Sequence, residues 1–361
     1  MVVCSYEDRA SDLIGLKLLS CSVRRHAPDV PVYLCCPNAT GDFQRWAAAR
    51  AGVRLDRAPP SDFKGWNVKP ELMLRLLRDG HDQVVWMDSD VIVAGDFREL
   101  LPDRTSLVVT EEFSWHPRKD TRLRIAGWQL PSGRPVPFLV NSAFLRATPE
   151  HIPLLEQWVR LMKSPAYRLA QEQPFAQRPV HLLSDQDVLT ALLGATAFAH
   201  LPVHFLRRGR EIIHDPQGGY RPTDRLANLF RRTPPLVHAQ SGKVWRFPLP
   251  PSPAADPRRY YNFLHVETSP YGFYARQHRH ELGEDAPFLD VRSRFGKLSW
   301  AMALGDPHLT GMPQSLIGVA TAYGDRAWNL ANRADRLLRR WLARGAAFAR
   351  AAAGAPEQPT I

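Results

Sequence analysis

The sequence predicts an α/β fold in which a wound, largely parallel sheet is flanked by helices. Strand-like and helix-like segments alternate from the N-terminus, and this order is typical of wound sheets. The run Val-Val-Trp-Met at 84–87 is apolar at every position, as expected for a strand that is buried on both faces of the sheet. A chain of 361 residues has room for one large domain with an appendage, or for two domains.

The first elements follow one another with short connections, as in the opening of a wound sheet. The predicted elements are a strand at 2–4, a helix at 12–25, a strand at 31–35, a helix at 43–51 and a strand at 52–55. A second strand-and-helix series follows after Pro59 and Pro60, which end the last of these strands.

That second series carries the polar residues of interest. It consists of a helix at 70–78 with Pro70 in its first turn, strands at 84–87, 107–110 and 138–145, helices at 151–162 and 186–193, and a strand at 236–239. The polar, Arg-rich segment 111–137 is too long for a simple connection. We predict that it is a binding loop or lid, with a solvated Arg-rich loop as the alternative.

The composition and the positions of the cysteines indicate an intracellular protein. No window reaches the roughly 18 apolar residues that a membrane span needs, the N-terminus lacks a basic, apolar leader, and all four cysteines lie before residue 37 without zinc-site spacing. We therefore expect a cytoplasmic protein with reduced, mostly buried thiols.

Prolines cluster at 247–258 and predict a linker, or the rim of a domain, between a main domain at 1–246 and an aromatic, basic extension at 259–361.

The formal charge of +11 favours polyanionic partners, but arginine supplies 40 of the 47 cations, as a GC-rich genome also would. Residues 325–350 form a predicted amphipathic helix with a net charge of +5. This helix would lie on the anionic inner face of the cytoplasmic membrane, or cap the main domain. We expect no nucleic-acid partner because the charges are dispersed and no recognised nucleic-acid motif is present. The oligomeric state is not indicated.

Asp88 and Asp90 are the most informative pair. They follow the apolar run at 84–87 and precede a second one at 91–93, so they are placed at the carboxyl edge of a sheet, where open α/β folds bind ligands. Two acids between apolar runs need a compensating partner, and Mg²⁺ or Mn²⁺ suits such oxygen ligands. A solvated turn is the alternative.

Four segments, in order, resemble the GT-A glycosyltransferases, above all glycosyltransferase family 8. Residues 84–91 resemble the family's Asp-x-Asp strand, and 139–144 its donor-sugar strand, although Ala143 replaces the usual Gly. Residues 184–189 resemble its Asp-Gln-Asp helix start. Residues 238–245 resemble its His-x-x-Gly-x-x-Lys-Pro-Trp element, with Gly one position late, Lys one position early and Pro absent. The resemblance covers about residues 1–246.

This resemblance implies a GT-A fold, a Rossmann-like wound mixed sheet flanked by helices, here with a helical C-terminal appendage. It also implies metal-dependent transfer of a sugar from a nucleotide-diphosphate donor, most often UDP-linked, to a glycan or lipid-linked acceptor hydroxyl of the cell envelope, with retention of configuration. The alternative functions are a GT-A nucleotidyltransferase and a basic nucleic-acid-binding protein. Such enzymes usually have a Gly-rich loop after the first strand, where this chain has Ser-Tyr-Glu-Asp-Arg at 5–9.

The resemblance also assigns the metal and donor sites. Asp88, Asp90 and His238 would bind Mn²⁺ or Mg²⁺, and a core or surface histidine is the alternative for His238. The nucleotide-sugar donor would be bound by Asp88, Ser89, Asp90 and Gly242, and by Ser5, Tyr6 and Asp8, where the resemblance places the nucleoside. Lys69, just before the helix at 70–78, could reach the diphosphate of the donor, and Lys243 could do so from the other side.

Three further residues are assigned to the donor sugar. Asn141 would border this sugar, Asp185 would accept hydrogen bonds from its hydroxyls, and Gln186 would lie beneath its anomeric carbon. Other roles remain open for several of the assigned residues, namely a helix cap for Asp185, a surface charge for Lys69, and packing for Tyr6.

Overall fold

A computed structural model describes residues 1–58, 63–112, 120–215, 220–240, 243–247, 255–283 and 286–317. The chain divides into two compact units, Met1–Met312 and Pro313–Ile361. The strands and helices named below lie in the first unit. In the part that is described, no helix is both long and apolar enough to cross a bilayer.

A seven-stranded sheet forms the centre of the first unit. Its strands are β1 (Val2–Tyr6), β2 (Val32–Cys35), β3 (Val53–Asp56), β4 (Val84–Met87), β6 (Leu107–Glu111), β7 (Val140–Ala147) and β8 (Val203–Leu206), and their order is β3-β2-β1-β4-β7-β6-β8. Between β4 and β6 the chain forms β5 (Val91–Val93), which belongs to a second sheet. The prediction of an α/β fold with a wound sheet is confirmed.

The sheet is mixed because β7 runs antiparallel to both of its neighbours, β4 and β6. The other pairs, β1 with β2 and β4, β2 with β3, and β6 with β8, are parallel. The carboxyl ends of β1, β4 and β6 and the amino end of β7 therefore lie at one edge. This arrangement brings polar residues from four separate segments to the same side of the sheet.

Helices cover both faces of the sheet. They are α1 (Leu13–His26), α2 (Gly41–Ala48), α3 (Lys69–Arg78), α4 (Arg122–Gly127), α5 (Ile152–Met162), α6 (Pro165–Glu172) and α7 (Asp185–Gly194). Because side chains alternate along a strand, Cys4 and Trp86 pack with α3, α5 and α7 on one face. Val3 and Val85 pack with α1 and α2 on the other face.

A three-stranded sheet adjoins the first and contains β5, β9 (Ile212–Asp215) and β10 (Leu236–Ala239) in the order β5-β10-β9. Strand β10 runs antiparallel to β5 and parallel to β9. The sequence analysis located β10 but assigned no strand to β5, β8 or β9. Each of these is only three or four residues long, too short to show a clear strand period.

The later helices are α8 (Pro222–Asn228), α9 (Pro257–Glu267), α10 (Pro270–Arg276), α11 (Arg279–Leu282), α12 (Arg294–Met302) and α13 (Pro307–Thr310). Tyr271 and Tyr274 of α10 share a hydrophobic core with Ile213 and Val237 of the small sheet. The residues after the proline-rich segment, as far as Met312, thus belong to the same compact unit as the main sheet. The predicted division at 246 remains a sequence-based prediction.

Some predictions fall on residues outside those described. The amphipathic helix at 325–350 is one of them, so its two alternatives stay predictions. Within the predicted binding loop at 111–137, residues 113–119 are outside the described part of the chain, and residues 122–127 form α4. All four cysteines are unpaired and buried, as predicted.

Candidate active site

A cleft of about 820 Å³ opens at the edge of the main sheet where β1, β4 and β6 end. Its lining comes from those strand ends, from the starts of β7, α3 and α7, and from β10 and the residues after it. The polar lining residues include Tyr6, Glu7, Asp8, Arg9, Lys69, Asp88, Ser89, Asp90, Glu112, Asn141, Asp185, Gln186, His238, Gln240 and Lys243. The sheet topology thus gathers most of the predicted site residues into one cavity.

The structure brings the three predicted metal ligands together. Asp88, Asp90 and His238 each offer a ligand atom, and these atoms lie within 4.8 Å of one another. The pairing of β10 with β5 sets this proximity because it places His238 opposite Val91, directly after Asp90. Two carboxylates and one imidazole are a donor set that Mn²⁺ accepts. The residues present therefore fit a divalent cation.

Asp90 is nearly fully buried and has two nitrogen neighbours. The ammonium nitrogen of Lys243 lies 2.5 Å from its Oδ2, and Nε2 of His238 lies 3.4 Å from its Oδ1. Burial opposes the charge on this carboxylate, but Lys243 and then His238 outweigh that effect and hold the pKa of Asp90 well below its usual range. Asp90 is therefore an anion, ready to accept a cation.

Asp88 is held from the other side by Lys69. The Lys69 Nζ lies 3.0 Å from Asp88 Oδ1 and 3.6 Å from Asp185 Oδ2, and it donates to Ser142 Oγ at 2.7 Å. Burial opposes the charge on Lys69, but Asp185 and then Asp88 overcome it and raise the pKa of the ammonium. At 3% exposure Lys69 is not a surface charge, so that alternative is wrong.

Asp185 and Gln186 occupy the first turn of α7. Asp185 Oδ2 accepts a hydrogen bond from Ser142 Oγ at 2.9 Å. The N-cap of this helix is Ser184, so the alternative of a cap role for Asp185 is wrong. The Asp185 side chain instead faces Lys69 inside the cleft.

Glu112 organises the amide side chains of the cleft, and the sequence analysis did not single it out. Its Oε2 accepts from Asn141 Nδ2 at 3.0 Å and from Gln186 Nε2 at 2.7 Å, and its Oε1 accepts from Gln240 Nε2 at 3.0 Å. Two of the three predicted sugar-site residues therefore share one carboxylate. Glu112 directly follows β6, as Asp88 directly follows β4, and this position after a strand is the signal that could have identified it.

The predicted nucleoside residues differ in their placement. Tyr6 and Asp8 line the cleft, and the Tyr6 hydroxyl donates to Asp8 Oδ2 at 3.4 Å. The same carboxylate oxygen accepts from the backbone of Gly65 at 3.0 Å. Ser5 is fully buried within β1 and lies outside the cleft lining, so its hydroxyl is not presented to a ligand there.

Ser89 lies at the floor of the cleft and is fixed by its surroundings. Its hydroxyl donates to Glu7 Oε2 at 2.7 Å. Helix α1 approaches so closely that a Cβ on Gly15 would meet the Ser89 carbonyl oxygen at 2.3 Å and Trp245 at 2.8 Å. A side chain at position 15 would thus displace the Asp-Ser-Asp turn. Gly242, predicted to contact the donor, lies outside the described residues.

A second histidine, His214, lies behind His238 and was not identified from the sequence. The parallel register of β9 and β10 pairs the two residues, and their Nδ1 atoms are 3.0 Å apart. The other ring nitrogen of His214 lies 3.1 Å from the carbonyl oxygen of Glu111. Burial, and then the proximity of His238, lowers the pKa of His214 well below its ordinary value.

Comparisons with known proteins give likenesses in structure. No protein-family model matches the chain, and no curated protein matches it. Among solved structures, the chain is similar to the galactosyltransferase LgtC in complex with donor and acceptor sugar analogs, with 16% identity, 68% of this chain and 89% of that chain covered, and a TM-score of 0.45.

Two further solved structures show a comparable likeness. The bifunctional glycosyltransferase WbbM matches with 13% identity, 78% of this chain and 52% of that chain covered, and a TM-score of 0.44. The glycosyltransferase GlyE of Streptococcus pneumoniae TIGR4 matches with 16% identity, 68% and 56% covered, and a TM-score of 0.41. In these two cases the chain spans little more than half the length of the matched protein.

Proposed function

We propose that this protein is a metal-dependent glycosyltransferase. It moves a sugar from a nucleotide-diphosphate donor to a hydroxyl of a glycan or lipid-linked acceptor. A UDP-sugar is the donor that the family resemblance favours. The observation that carries this proposal is the convergence of Asp88, Asp90 and His238, whose ligand atoms lie within 4.8 Å of one another in a cleft of about 820 Å³. A cavity of that volume is in the range that encloses ligands of nucleotide-sugar size.

A divalent cation, Mn²⁺ or Mg²⁺, would be held by those three residues. When bound, it would supply positive charge to the diphosphate that leaves the sugar. The chemistry of the donor set supports this choice, since the carboxylates are hard oxygen ligands and the imidazole favours Mn²⁺ over an all-oxygen cation such as Ca²⁺.

Two buried ammonium groups would assist the leaving group. Lys243 contacts Asp90 and lines the cleft, where a diphosphate oxygen could replace the carboxylate as its partner. Lys69 instead holds Asp88 and Asp185 in place. We therefore assign direct contact with the donor diphosphate to Lys243 and the orientation of the carboxylates to Lys69.

The transfer breaks the bond between the anomeric carbon and the diphosphate oxygen and forms one to the acceptor oxygen. With retention, as the family resemblance implies, the acceptor proton passes to the departing diphosphate oxygen. Asp185 would bind sugar hydroxyls. Glu112 would orient the amides of Asn141 and Gln186 toward the sugar, because it already accepts a hydrogen bond from each.

The alternative functions have weaker support. A nucleotidyltransferase would use the loop after β1 to bind phosphates. In this chain that loop contains Glu7, which forms an ion pair with Arg9 of the same loop, with Arg9 Nε 2.7 Å from Glu7 Oε1. A nucleic-acid site would require a basic groove, yet this cleft is lined by several carboxylates, among them Asp8, Asp88 and Asp90. Six carboxylates in all face six lysines and arginines in this lining, so the cleft is balanced in charge and offers a polyanion no basic groove.

A panel of nucleotide sugars, tested for Mn²⁺-dependent hydrolysis, examines the proposal without knowledge of the acceptor. We expect hydrolysis of one donor, its loss on chelation, and its loss in the Asp88→Asn/Asp90→Asn double variant. Asp42→Asn is the matched control, because the Asp42 side chain is 84% exposed and forms an ion pair with Arg45, which is 77% exposed. Full turnover by the double variant, or in the presence of chelator, would refute the proposal.

A further inference from the structure

His214 is a buried imidazole in direct contact with a proposed metal ligand. It is 0% exposed, and His238 is 4% exposed. Their ring centroids are 5.2 Å apart with planes at 75°, an arrangement in which one ring nitrogen can point at another. Two imidazoles at this distance can form one hydrogen bond, and its direction depends on which nitrogens carry protons.

The far side of His214 decides that direction. Its Nε2 lies 3.1 Å from the carbonyl oxygen of Glu111, and a carbonyl can only accept a hydrogen bond. Nε2 of His214 must therefore carry a hydrogen. Because His214 is fully buried and its neighbour in the pair is another imidazole, it holds a single ring proton, and its Nδ1 is an acceptor.

An acceptor at Nδ1 of His214 requires a donor at Nδ1 of His238, 3.0 Å away. Nδ1 of His238 thus keeps its hydrogen whether this ring is neutral or charged. The other ring nitrogen of His238, Nε2, lies 3.4 Å from Asp90 Oδ1, on the side of the two carboxylates. A chain of hydrogen bonds runs from the Glu111 carbonyl through His214 to His238. This chain fixes which ring nitrogen of His238 faces Asp88 and Asp90.

We propose that His214 is a positioning residue that fixes His238 with its proton on Nδ1 and presents Nε2 to a divalent cation. The inference rests on the proposed function, since the cation is the one assigned to Asp88, Asp90 and His238. It concerns only residues of this chain: β9 supplies the acceptor, the β9–β10 register sets its distance from His238, and β6 supplies the carbonyl that orients it.

Two substitutions separate the two hydrogen bonds of His214. In His214→Asn the amide oxygen falls near the position of Nδ1 and can accept from His238. In His214→Gln the amide nitrogen falls near the position of Nε2 and can donate to Glu111, but no acceptor faces His238. Each variant therefore keeps one bond and loses the other, at similar polarity.

The first measurement is the tautomer of His238 in the metal-free wild-type protein, from long-range ¹⁵N–¹H NMR, with the signal assigned by its loss in His238→Gln. We expect the proton on Nδ1. The second measurement is the Kd for Mn²⁺ alone, without nucleotide. We expect His214→Gln to weaken Mn²⁺ binding about 10- to 100-fold, as loss of an outer-shell partner does, and His214→Asn to weaken it by less than about 3-fold.

A His238 ring in the wild-type protein that carries its proton on Nε2 and none on Nδ1 would overturn the proposal, and so would equal losses of Mn²⁺ affinity in the two variants. The wild-type spectrum needs no variant, so the test survives if His214→Gln fails to fold, which circular dichroism would show. If the wild-type protein has the expected tautomer but binds no Mn²⁺, the proposed function fails while the tautomer assignment is supported.

Discussion

Two buried lysines hold the two carboxylates of the Asp-Ser-Asp turn, and they belong to different parts of the chain. Lys69 holds Asp88 and is positioned by the seven-stranded sheet and its helices α3 and α7. Lys243 holds Asp90 and follows β10 of the three-stranded sheet. Lys69, Asp88, Ser142 and Asp185 form the Lys69 cluster, and Lys243, Asp90, His238 and His214 form the Lys243 cluster.

The two clusters differ in how tightly the ammonium is bound. Lys69 contacts two carboxylates and a hydroxyl and is 3% exposed. Lys243 contacts Asp90 and is 9% exposed. A cation with several buried partners is costly to move, whereas a compact ammonium on a flexible stem can exchange one anionic partner for another. The difference indicates a fixed cluster and an exchangeable one.

The largest effect on stability is expected for Lys69→Met. Removing this ammonium leaves Asp88 and Asp185 without their shared cation, so we expect the free energy of unfolding to fall by about 3–5 kcal/mol, the range for breaking a buried pair. Denaturant unfolding at pH 7 measures it. Arg78→Met is the matched control: Arg78 is 58% exposed and contacts Glu156, which is 50% exposed, and such a pair contributes about 1 kcal/mol or less.

A second substitution tests whether charge is the cause. In Lys69→Met/Asp185→Asn one of the two uncompensated carboxylates is neutral, so we expect part of the lost stability to return while turnover stays low. If the double variant is no more stable than Lys69→Met, the loss is due to packing, and Lys69 is not the charge centre of its cluster.

The Lys69 cluster was more accessible to sequence reasoning than the Lys243 cluster. Asp88 follows from a local pattern, a strand end, and Lys69 lies at the start of a helix that has proline in its first turn. The family resemblance assigned Asp185, which also lies at a helix start. In a parallel sheet, strand ends and the helix starts that follow them lie at a common edge, so residues found from such local patterns come together there. Family resemblance supplied His238 and Lys243, which local pattern alone did not connect with Asp90.

His214 and Glu112 show what the sequence could not reveal. His214 lies in a four-residue strand, and its role depends on the register of β9 against β10, which is a long-range property. Glu112 depends on amides contributed by β7, α7 and the end of β10. Ser5 shows the opposite error: a motif position adjacent to the site whose side chain points into the sheet core.

Lys243→Met tests whether the ammonium of the Lys243 cluster is exchangeable. We expect kcat/KM for donor hydrolysis to fall about 100-fold, as for loss of one preorganised charge at a leaving group, while stability falls by about 1–2 kcal/mol, less than in Lys69→Met, because His238 still faces Asp90. We also expect the nucleotide-free protein to bind Mn²⁺ more tightly, since a competing cation is gone.

Steady-state kinetics with the best donor and Mn²⁺ titration check both parts of this prediction. An unfolding free energy lowered as much as in Lys69→Met, or Mn²⁺ binding that weakens, would show that Lys243 is as fixed as Lys69. The two clusters would then not differ in the way proposed.

The smallest effect on the cleft is expected at a histidine far from both clusters. His151 is fully buried between β7 and α5, and its Nδ1 accepts from the backbone N–H of Thr148 at 3.1 Å. Burial, and then Arg146, lowers its pKa from 6.5 to about 4. The unfolded chain therefore binds the proton more readily than the folded protein, and stability is lost as the pH falls from about 6.5 toward 4.

In His151→Asn the amide oxygen can still accept from Thr148, but no group titrates. Between pH 7 and pH 5 we expect the wild-type protein to lose about 2 kcal/mol more unfolding free energy than this variant, measured by denaturant unfolding at both pH values. Mn²⁺ affinity at pH 7 should be the same in both proteins, because His151 lies outside the cleft lining. A change in Mn²⁺ affinity as large as in His214→Gln would mean that a buried histidine anywhere in the fold affects the cleft, and the special position of His214 behind His238 would lose its support.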